Sequence, residues 1–343
     1  MELKEKIKLL TRAYGVSGDE FAVSKIAAEL MAPYVDRVEI DDFGNVTGYR
    51  SCGVPGAKKL LLDAHIDQIG FMVTEVTDEG FLRFLAMGVD QRMLLGSELR
   101  VLTKNHGDIL GVVAAMPPHM QKPGDQKKSV PISEMVVDIG MTGDRAKELV
   151  QVGDYMVFAA EPFDMLSGGL CSKALDDRAC LVCILHALEL MQDKPLQVDL
   201  IITATTKEEM GGHGAQACAY RENPDFAIAI DVTHARTADA PNVLKELGDG
   251  ADISIGSNSH PAFARKVVEI CRAKQVPHRV DACPSASGTN AWTMQMMQSG
   301  ICTLVISLPL KYMHSPVEVL RLKDVDSVGR CLAEFAMSFD GRL

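Results

Sequence analysis

The chain repeatedly runs through a short apolar segment and closes it on a histidine or a carboxylate, a pattern that limits the fold more than any other feature. Leu60-Leu-Leu-Asp-Ala-His65-Ile-Asp67 does so first. Val198-Asp-Leu-Ile-Ile-Thr-Ala-Thr205 is followed by Glu208-Glu209, Phe226-Ala-Ile-Ala-Ile230 closes on Asp231, and Thr303-Leu-Val-Ile-Ser307 precedes Tyr312-Met-His314. Runs of this length and apolarity read as β-strands of a sheet covered on both faces. Parallel strands all end at one edge, so side chains far apart in sequence meet there, and that edge is where open α/β sheets bind ligands. Asp176-Asp177, just ahead of a helical pattern, adds two further carboxylates. Imidazole and carboxylates gathered at strand ends are costly to bury unless paired or bound to a cation, so a binuclear metal site is the natural reading.

With 343 residues the chain can bury roughly three quarters of its extended surface, enough for one large domain or two ordinary ones. The net charge is -11, and the densest basic stretch is the loop Gln121-Lys-Pro-Gly-Asp-Gln-Lys-Lys128, read as a surface excursion. No extended basic face is therefore offered to nucleic acid or anionic lipid. The start, Met1-Glu-Leu-Lys-Glu-Lys-Ile7, lacks the apolar core of a signal peptide, and no run of about 18 apolar residues follows. A soluble, cytoplasmic protein without nucleic-acid or membrane partners is expected. Nine cysteines, an odd number, lie in apolar segments such as Cys180-Leu-Val-Cys183 and Gly300-Ile-Cys302, as reduced core side chains do. The Cys-x-x-Cys spacing sits within a helical pattern and lacks the second pair that a structural zinc site requires.

Leu3, Ile7 and Leu10 share a helical face that Gly15 stops, and Ser17 with Glu20 forms a capping-box signature for a second helix reaching about residue 31. Short strands at 37–41 and 46–49 follow, joined by the turn Phe43-Gly44-Asn45. From residue 70 to 163 the texture changes to β-type runs at 71–76, 81–85, 99–102, 109–115, 135–139 and 155–158, separated by Gly, Pro and Asp turns, with only 143–150 helical. This predicts a small β-rich barrel or sandwich inserted into a larger α/β domain made of residues 1–69 and 164–343. In that larger domain, helices are expected near 178–192, 261–274, 288–298 and 325–339.

Two divalent cations need hard or borderline ligands, a bridging carboxylate, and open positions for water and substrate. His65, Asp176 or Asp177, Glu208 or Glu209, Asp231 and His314 supply one bridging aspartate plus one histidine and one carboxylate per metal. Three carboxylates and a hydroxide then neutralise two divalent cations. His65 and Asp67 are two apart in an extended segment, so Asp67 is placed to fix the imidazole through its other nitrogen. Glu208 and Glu209 leave a strand side by side, so one can ligate while the other acts as general base, and spacing does not decide which. Taken singly, His65 reads equally as an edge histidine, Asp67 as a turn residue, Asp176 or Asp177 as an N-cap, and His314 as a loop histidine. For His213, His234 and His260 the polar-loop reading is preferred.

The strings His65-Ile-Asp67, Ala174-Leu-Asp-Asp-Arg178, Glu208-Glu-Met-Gly211, Ile230-Asp-Val-Thr-His234, Ser287-Gly-Thr289 and Tyr312-Met-His-Ser-Pro-Val-Glu318 resemble those of the TET-type dinuclear metalloaminopeptidases. That group contains glutamyl, leucyl, lysyl and deblocking aminopeptidases and proteins once labelled endoglucanase M. The match runs through nearly the whole chain in order and spacing. The resemblance implies an α/β fold, with a co-catalytic zinc-peptidase-like catalytic domain interrupted by a PDZ-like β-domain. It also implies two divalent metal ions per subunit, zinc or cobalt, and a homo-oligomer built as a dodecameric tetrahedral shell. Carried onto this chain, it implies His65, Asp176, Glu209, Asp231 and His314 as metal ligands, with Asp176 bridging. Glu208 becomes the general base and Asp67 the partner of His65. Asn290 departs from the aspartate that many relatives carry, which leaves the ligands untouched and bears on the local wall of the site.

The expected activity is removal of N-terminal residues from short peptides. The alternative is a related carboxypeptidase or N-acyl amidohydrolase, which needs a cationic clamp for the substrate carboxylate, and Arg92, Arg178 and Lys311 are the candidates. A silent binding subunit is disfavoured by the intact Glu208, and a glycosidase would leave two strand-end histidines without a role.

Overall fold

Apolar side chains on both faces of the runs ending at His65, Thr205, His234 and Leu310 are stable only inside a sheet covered on two sides. They lie so in the computed structural model, which describes residues 1–116, 120 and 129–343. The basic loop at 121–128 lies outside the described residues. Two compact units are formed, one from Met1–Gln68, Pro162–Met313 and Glu318–Leu343, the other from Ile69–Glu161 and His314–Val317.

The first unit begins with α1 (Leu3–Arg12), α2 (Phe21–Met31), β1 (Arg37–Ile40), β2 (Val46–Arg50) and β3 (Lys59–His65). The second unit contains β4 (Gly70–Val76), β5 (Phe81–Met87), β6 (Glu98–Thr103), β7 (Gly107–Ala114), β8 (Val136–Asp138), α3 (Gly143–Leu149) and β9 (Tyr155–Phe158). Its strands close into a barrel in the order β4-β5-β8-β7-β6-β9. Phe71 is buried in this unit's core, edge-on to Phe84 and Phe158, the T-shaped geometry that aromatic quadrupoles favour.

The first unit then resumes with β10 (Phe163–Met165), β11 (Gly169–Ser172), α4 (Leu175–Leu190), β12 (Asp199–Thr205), α5 (His213–Glu222), β13 (Phe226–His234) and β14 (Ala251–Gly256). It ends with α6 (Pro261–Ala273), β15 (His278–Cys283), α7 (Ala291–Met294), β16 (Cys302–Leu310), β17 (Glu318–Arg321) and α8 (Leu322–Ser338). Eight strands make one mixed sheet in the order β1-β2-β12-β3-β13-β16-β14-β15. Its centre, β12-β3-β13-β16, is parallel.

Side-chain alternation along these strands decides what reaches each face. Leu60, Leu62, Ala64 and Ile66 join the larger core with α4 and α8, while Leu61 joins the smaller core with Ala215 and Ala219 of α5 and Ala291 of α7. Asp63 and His65 share the parity of Leu61, as Asp231 shares that of Ala227 and Ala229. Asp63 accordingly meets Asn290 at the head of α7, whereas His65 and Asp231, at the strand ends, meet the aspartates at the head of α4.

Two local expectations are overturned. Ser17 and Glu20 do not form a capping box, because α2 starts without any side-chain cap bond. Ser17 instead donates to Asp67, and Glu20 accepts from the backbone N–H groups of Gly18 and Lys207. The helix expected over 288–298 shrinks to Ala291–Met294, since the side chains of Thr289 and Asn290 are engaged in local and tertiary hydrogen bonds. No helix among the described residues is long and apolar enough to cross a membrane.

Candidate active site

His65, the last residue of β3, has Nδ1 3.3 Å from Asp67 Oδ1 and 3.2 Å from the Asp67 carbonyl oxygen, while Nε2 lies 3.2 Å from Asp176 Oδ1. The ring is buried. Burial disfavours its charged form, but Asp176 and Asp67 outweigh that, and the ring is held well above the usual imidazole range.

Asp176 and Asp177 leave the helical path at the head of α4, joined by a cis peptide bond. Glu318 of β17 accepts the N–H groups of Leu175 and Asp176 at 2.7 and 3.2 Å, which fixes this corner. Asp177 Oδ2 accepts the His65 N–H at 3.2 Å, and its Oδ1 is buried without a hydrogen-bond donor among the described residues. Burial and the neighbouring Asp231 push the Asp177 carboxyl well above the usual range. Burial does the same at Asp231, helped by Glu208 and Asp176 and opposed by His65.

The two glutamates sit on the turn between β12 and α5. Gly211 and Gly212 take φ of 113° and 72°, a region open to glycine, and a side chain at Gly212 would meet Thr293 and Asn290 within 3.2 Å. Asp67 supports the turn, accepting the N–H groups of Glu208 at 3.0 Å and Glu209 at 3.2 Å as well as the Ser17 hydroxyl. Burial acts against the Asp67 charge, but His65, Ser17 and the Glu208 N–H overcome it, and the carboxyl stays below its ordinary range. Glu208 Oε2 lies 3.9 Å from His65 Nε2, and burial pushes its carboxyl up to about 7, partly opposed by His65 and reinforced by Glu209.

Two groups of ligand-type atoms result, each with all atoms within 4.8 Å of one another: His65, Asp177 and Asp231 in one, His65, Asp176 and Glu209 in the other. Glu208 belongs to neither, and nor does His314, which lies at φ 61° in the short segment grouped with the barrel unit. As placed, Asp177 is the aspartate that groups with Asp231, while Asp176 groups with Glu209.

Three supporting residues escaped the sequence reading. Ser17 and Glu20 are two, and Asp63 is the third. Asp63 is buried and accepts the hydroxyls of Thr203 and Thr205 at 2.6 and 2.9 Å and the Asn290 amide at 2.8 Å. A charged residue inside the apolar run Leu60-Leu-Leu-Asp63 was the available signal, since it had to find donors. Asn290, expected on a wall of the site, is itself buried and donates to Asp63 and Thr205. Arg178 is no clamp for a substrate carboxylate. Its buried guanidinium is spent on the carbonyls of Ile66, Leu10, Ala13 and Gly15. Arg92, in the barrel unit, pairs with Asp90.

Comparison with known proteins places this geometry in context. Residues 44–330 match the family described as M42 glutamyl aminopeptidase. A lysyl aminopeptidase of Pyrococcus furiosus is 31% identical over 329 residues, covering 94% of this chain and 93% of the relative. Among solved structures, an aminopeptidase of the archaeon Desulfurococcus kamchatkensis superposes with a TM-score of 0.90 at 35% identity, covering 99% of this chain and 95% of that one. The TET1 peptidase of Pyrococcus horikoshii, which can assemble into a tetrahedron or a large octahedral shell, superposes with a TM-score of 0.86 at 30% identity, covering 98% and 100%.

Proposed function

This chain belongs to the M42 family of aminopeptidases and is an exopeptidase, and we propose that it removes N-terminal residues from short peptides with two divalent metal ions, zinc or cobalt. The observation that carries this reading is the convergence of His65, Asp176, Asp177, Glu209 and Asp231 in two overlapping ligand-type groups, with the Glu208 carboxylate beside the His65 ring and outside both. The residues fit such ions. Imidazole with carboxylates is a donor set for zinc or cobalt. Burial, reinforced by neighbouring carboxylates, raises Asp177, Asp231 and Glu208, and a bound cation relieves both effects; Asp177 Oδ1 is also buried without a donor among the described residues.

His65, Asp176, Glu209 and Asp231 would hold the ions, with Asp177 grouped beside Asp231, and it is the family resemblance that adds His314 as a further ligand and makes Asp176 rather than Asp177 the bridge. Bound there, such ions supply Lewis-acid polarisation of a carbonyl and water acidic enough to be used at neutral pH. Glu208, with a carboxyl at about 7, takes the proton from the attacking water and returns it to the leaving amine. Asp67 fixes the His65 ring and the turn bearing both glutamates. A free substrate α-amine has anionic carboxylates to meet here, and a blocked terminus does not. The carboxypeptidase alternative loses its buried candidate clamp, Arg178, to four backbone carbonyls.

The barrel unit, PDZ-like by the resemblance, is assigned to assembly and substrate access, and the subunit to a homo-oligomer like the shells of the TET1 relative. Nine free thiols suit the cytoplasm. The test is a pair of peptides differing only in N-terminal acetylation, assayed after dialysis against a chelator and again after adding zinc or cobalt. Release of the first residue should vanish with the metal, return with it, and fail on the acetylated peptide. Full activity in thoroughly demetallated protein, or equal cleavage of both peptides, would refute the proposal.

A further inference from the structure

We propose that Glu20 and Ser17 are positioning residues for the hydrolysis, bracing the turn that carries Glu208 and Glu209 from the N-terminal segment; this rests on the roles given to those two glutamates above. Three successive N–H groups of that turn are taken by buried carboxylates. Lys207 donates to Glu20 Oε1 at 3.2 Å, Glu208 to Asp67 Oδ1 at 3.0 Å, and Glu209 to Asp67 Oδ2 at 3.2 Å. Ser17 Oγ donates to that same Asp67 Oδ2 at 2.5 Å. Two residues of one short segment thus reach the turn, Glu20 directly and Ser17 through Asp67.

The turn needs such support. Lys207, a non-glycine residue, sits at φ 58°, and Gly211 and Gly212 also have positive φ, so the path from β12 into α5 is held only if its surroundings over-determine it. The segment that does so is itself fixed. The Gly15 carbonyl accepts the Gln68 N–H at 2.9 Å, Val16 bridges to Gln68, and Arg178 binds the carbonyls of Gly15 and Ile66 together. Glu20 also accepts the Gly18 N–H at 2.8 Å, which pins its carboxylate within its own turn. Glu20 is almost fully inaccessible to solvent, and burial raises its carboxyl to about 7, a penalty a surface helix cap would not incur.

Amide hydrogen exchange and steady-state kinetics on the metal-loaded enzyme separate positioning from mere structure. In Glu20→Ala, exchange at residues 207–209 should accelerate by roughly tenfold or more, the equivalent of one lost hydrogen bond, while core strands such as β3 keep their protection. The kcat should fall roughly 10- to 100-fold with KM changing by less than about threefold, because the loss is one of alignment at the reacting atoms. Glu20→Gln retains an Oε1 acceptor for both N–H groups and should recover most of kcat. Ser17→Ala should show the same pattern more weakly, with recovery in Ser17→Thr, and it decides the matter if Glu20→Ala does not fold. A kcat within twofold of wild type with unchanged exchange at 207–209, acceleration spread evenly over the chain, or no recovery in the conservative variants would each overturn the inference. Wild-type enzyme in the same assay keeps the two claims apart. Failure of the wild type to release N-terminal residues sinks the functional reading, whereas normal wild-type turnover with unaffected variants sinks only the brace.

Discussion

Replacing Asp67 by asparagine is expected to damage metal binding and turnover together, although Asp67 stands outside both ligand groups. Its carboxylate accepts from the Ser17 hydroxyl and the N–H groups of Glu208 and Glu209, and faces His65 Nδ1 at 3.3 Å. Asparagine offers one acceptor oxygen, so about two of these contacts are lost and an amide N–H is turned toward donors. Hydrogen bonds to a buried charge are worth about 1.5–3 kcal/mol each, which puts the gross loss near 3–6 kcal/mol before the relief of no longer burying a charge. Part of that loss falls on the orientation of His65, where removing the partner of a ligating imidazole lowers metal affinity by roughly 10- to 100-fold. The remainder falls on the turn, so kcat at saturating metal should still drop by roughly 10²-fold, the usual cost of a misplaced reacting group. Calorimetric titration of zinc into demetallated protein measures the first effect, and peptide hydrolysis at saturating zinc the second. Affinity and kcat both within threefold of wild type would show that Asp67 does not organise the site.

Other perturbations have definite outcomes. Arg178→Met leaves four backbone carbonyls without their buried guanidinium donor and should cost about 3–5 kcal/mol in urea denaturation, roughly 1 kcal/mol for each lost bond; a loss below about 1 kcal/mol would mean that those bonds do not hold the N-terminal segment. Asp324, which accepts the N–H groups of Gly248 and Gly250, has its carboxyl raised to about 6 by burial. The unfolded chain therefore loses this proton first, and stability present below about pH 4 is lost as pH rises through 6, by about 3 kcal/mol at most. The stability of Asp324→Asn relative to wild type should accordingly improve between pH 4 and 7, and an unchanged difference across that range would contradict the assignment. Glu209→Gln and His314→Ala should each lower the metal content measured by elemental analysis, and full retention in either variant would remove that residue from the ligand set.

The strands that build the site were legible because a strand buried on both faces must be a nearly unbroken apolar run, as Leu60-Leu-Leu and Phe226-Ala-Ile-Ala-Ile230 are. The residues at their ends were legible for a related reason, since a histidine or aspartate at such a place needs a partner. Partners far away in sequence were not. Ser17 and Glu20 carry a local helix-start signature, but their bonds go to Asp67, 50 residues on, and Lys207, 187 residues on. Strands β14 and β15 went unread because the run from Ala251 to Gly256 mixes polar and apolar residues and β15 is an edge strand open to solvent. Spacing could not divide labour between Glu208 and Glu209. In the structure Glu209 is among the ligand-type atoms and Glu208 Oε2 lies 3.9 Å from His65 Nε2, and the division implied by the family remains a proposal.

That division is tested most directly by metal content and turnover in Glu208→Gln. Glutamine preserves the shape of the side chain and removes the base, so elemental analysis should still find two metal ions per subunit while kcat for an unblocked peptide falls by roughly 10²- to 10⁴-fold. Loss of a metal ion from Glu208→Gln, or a kcat close to that of wild type with both ions in place, would contradict the account.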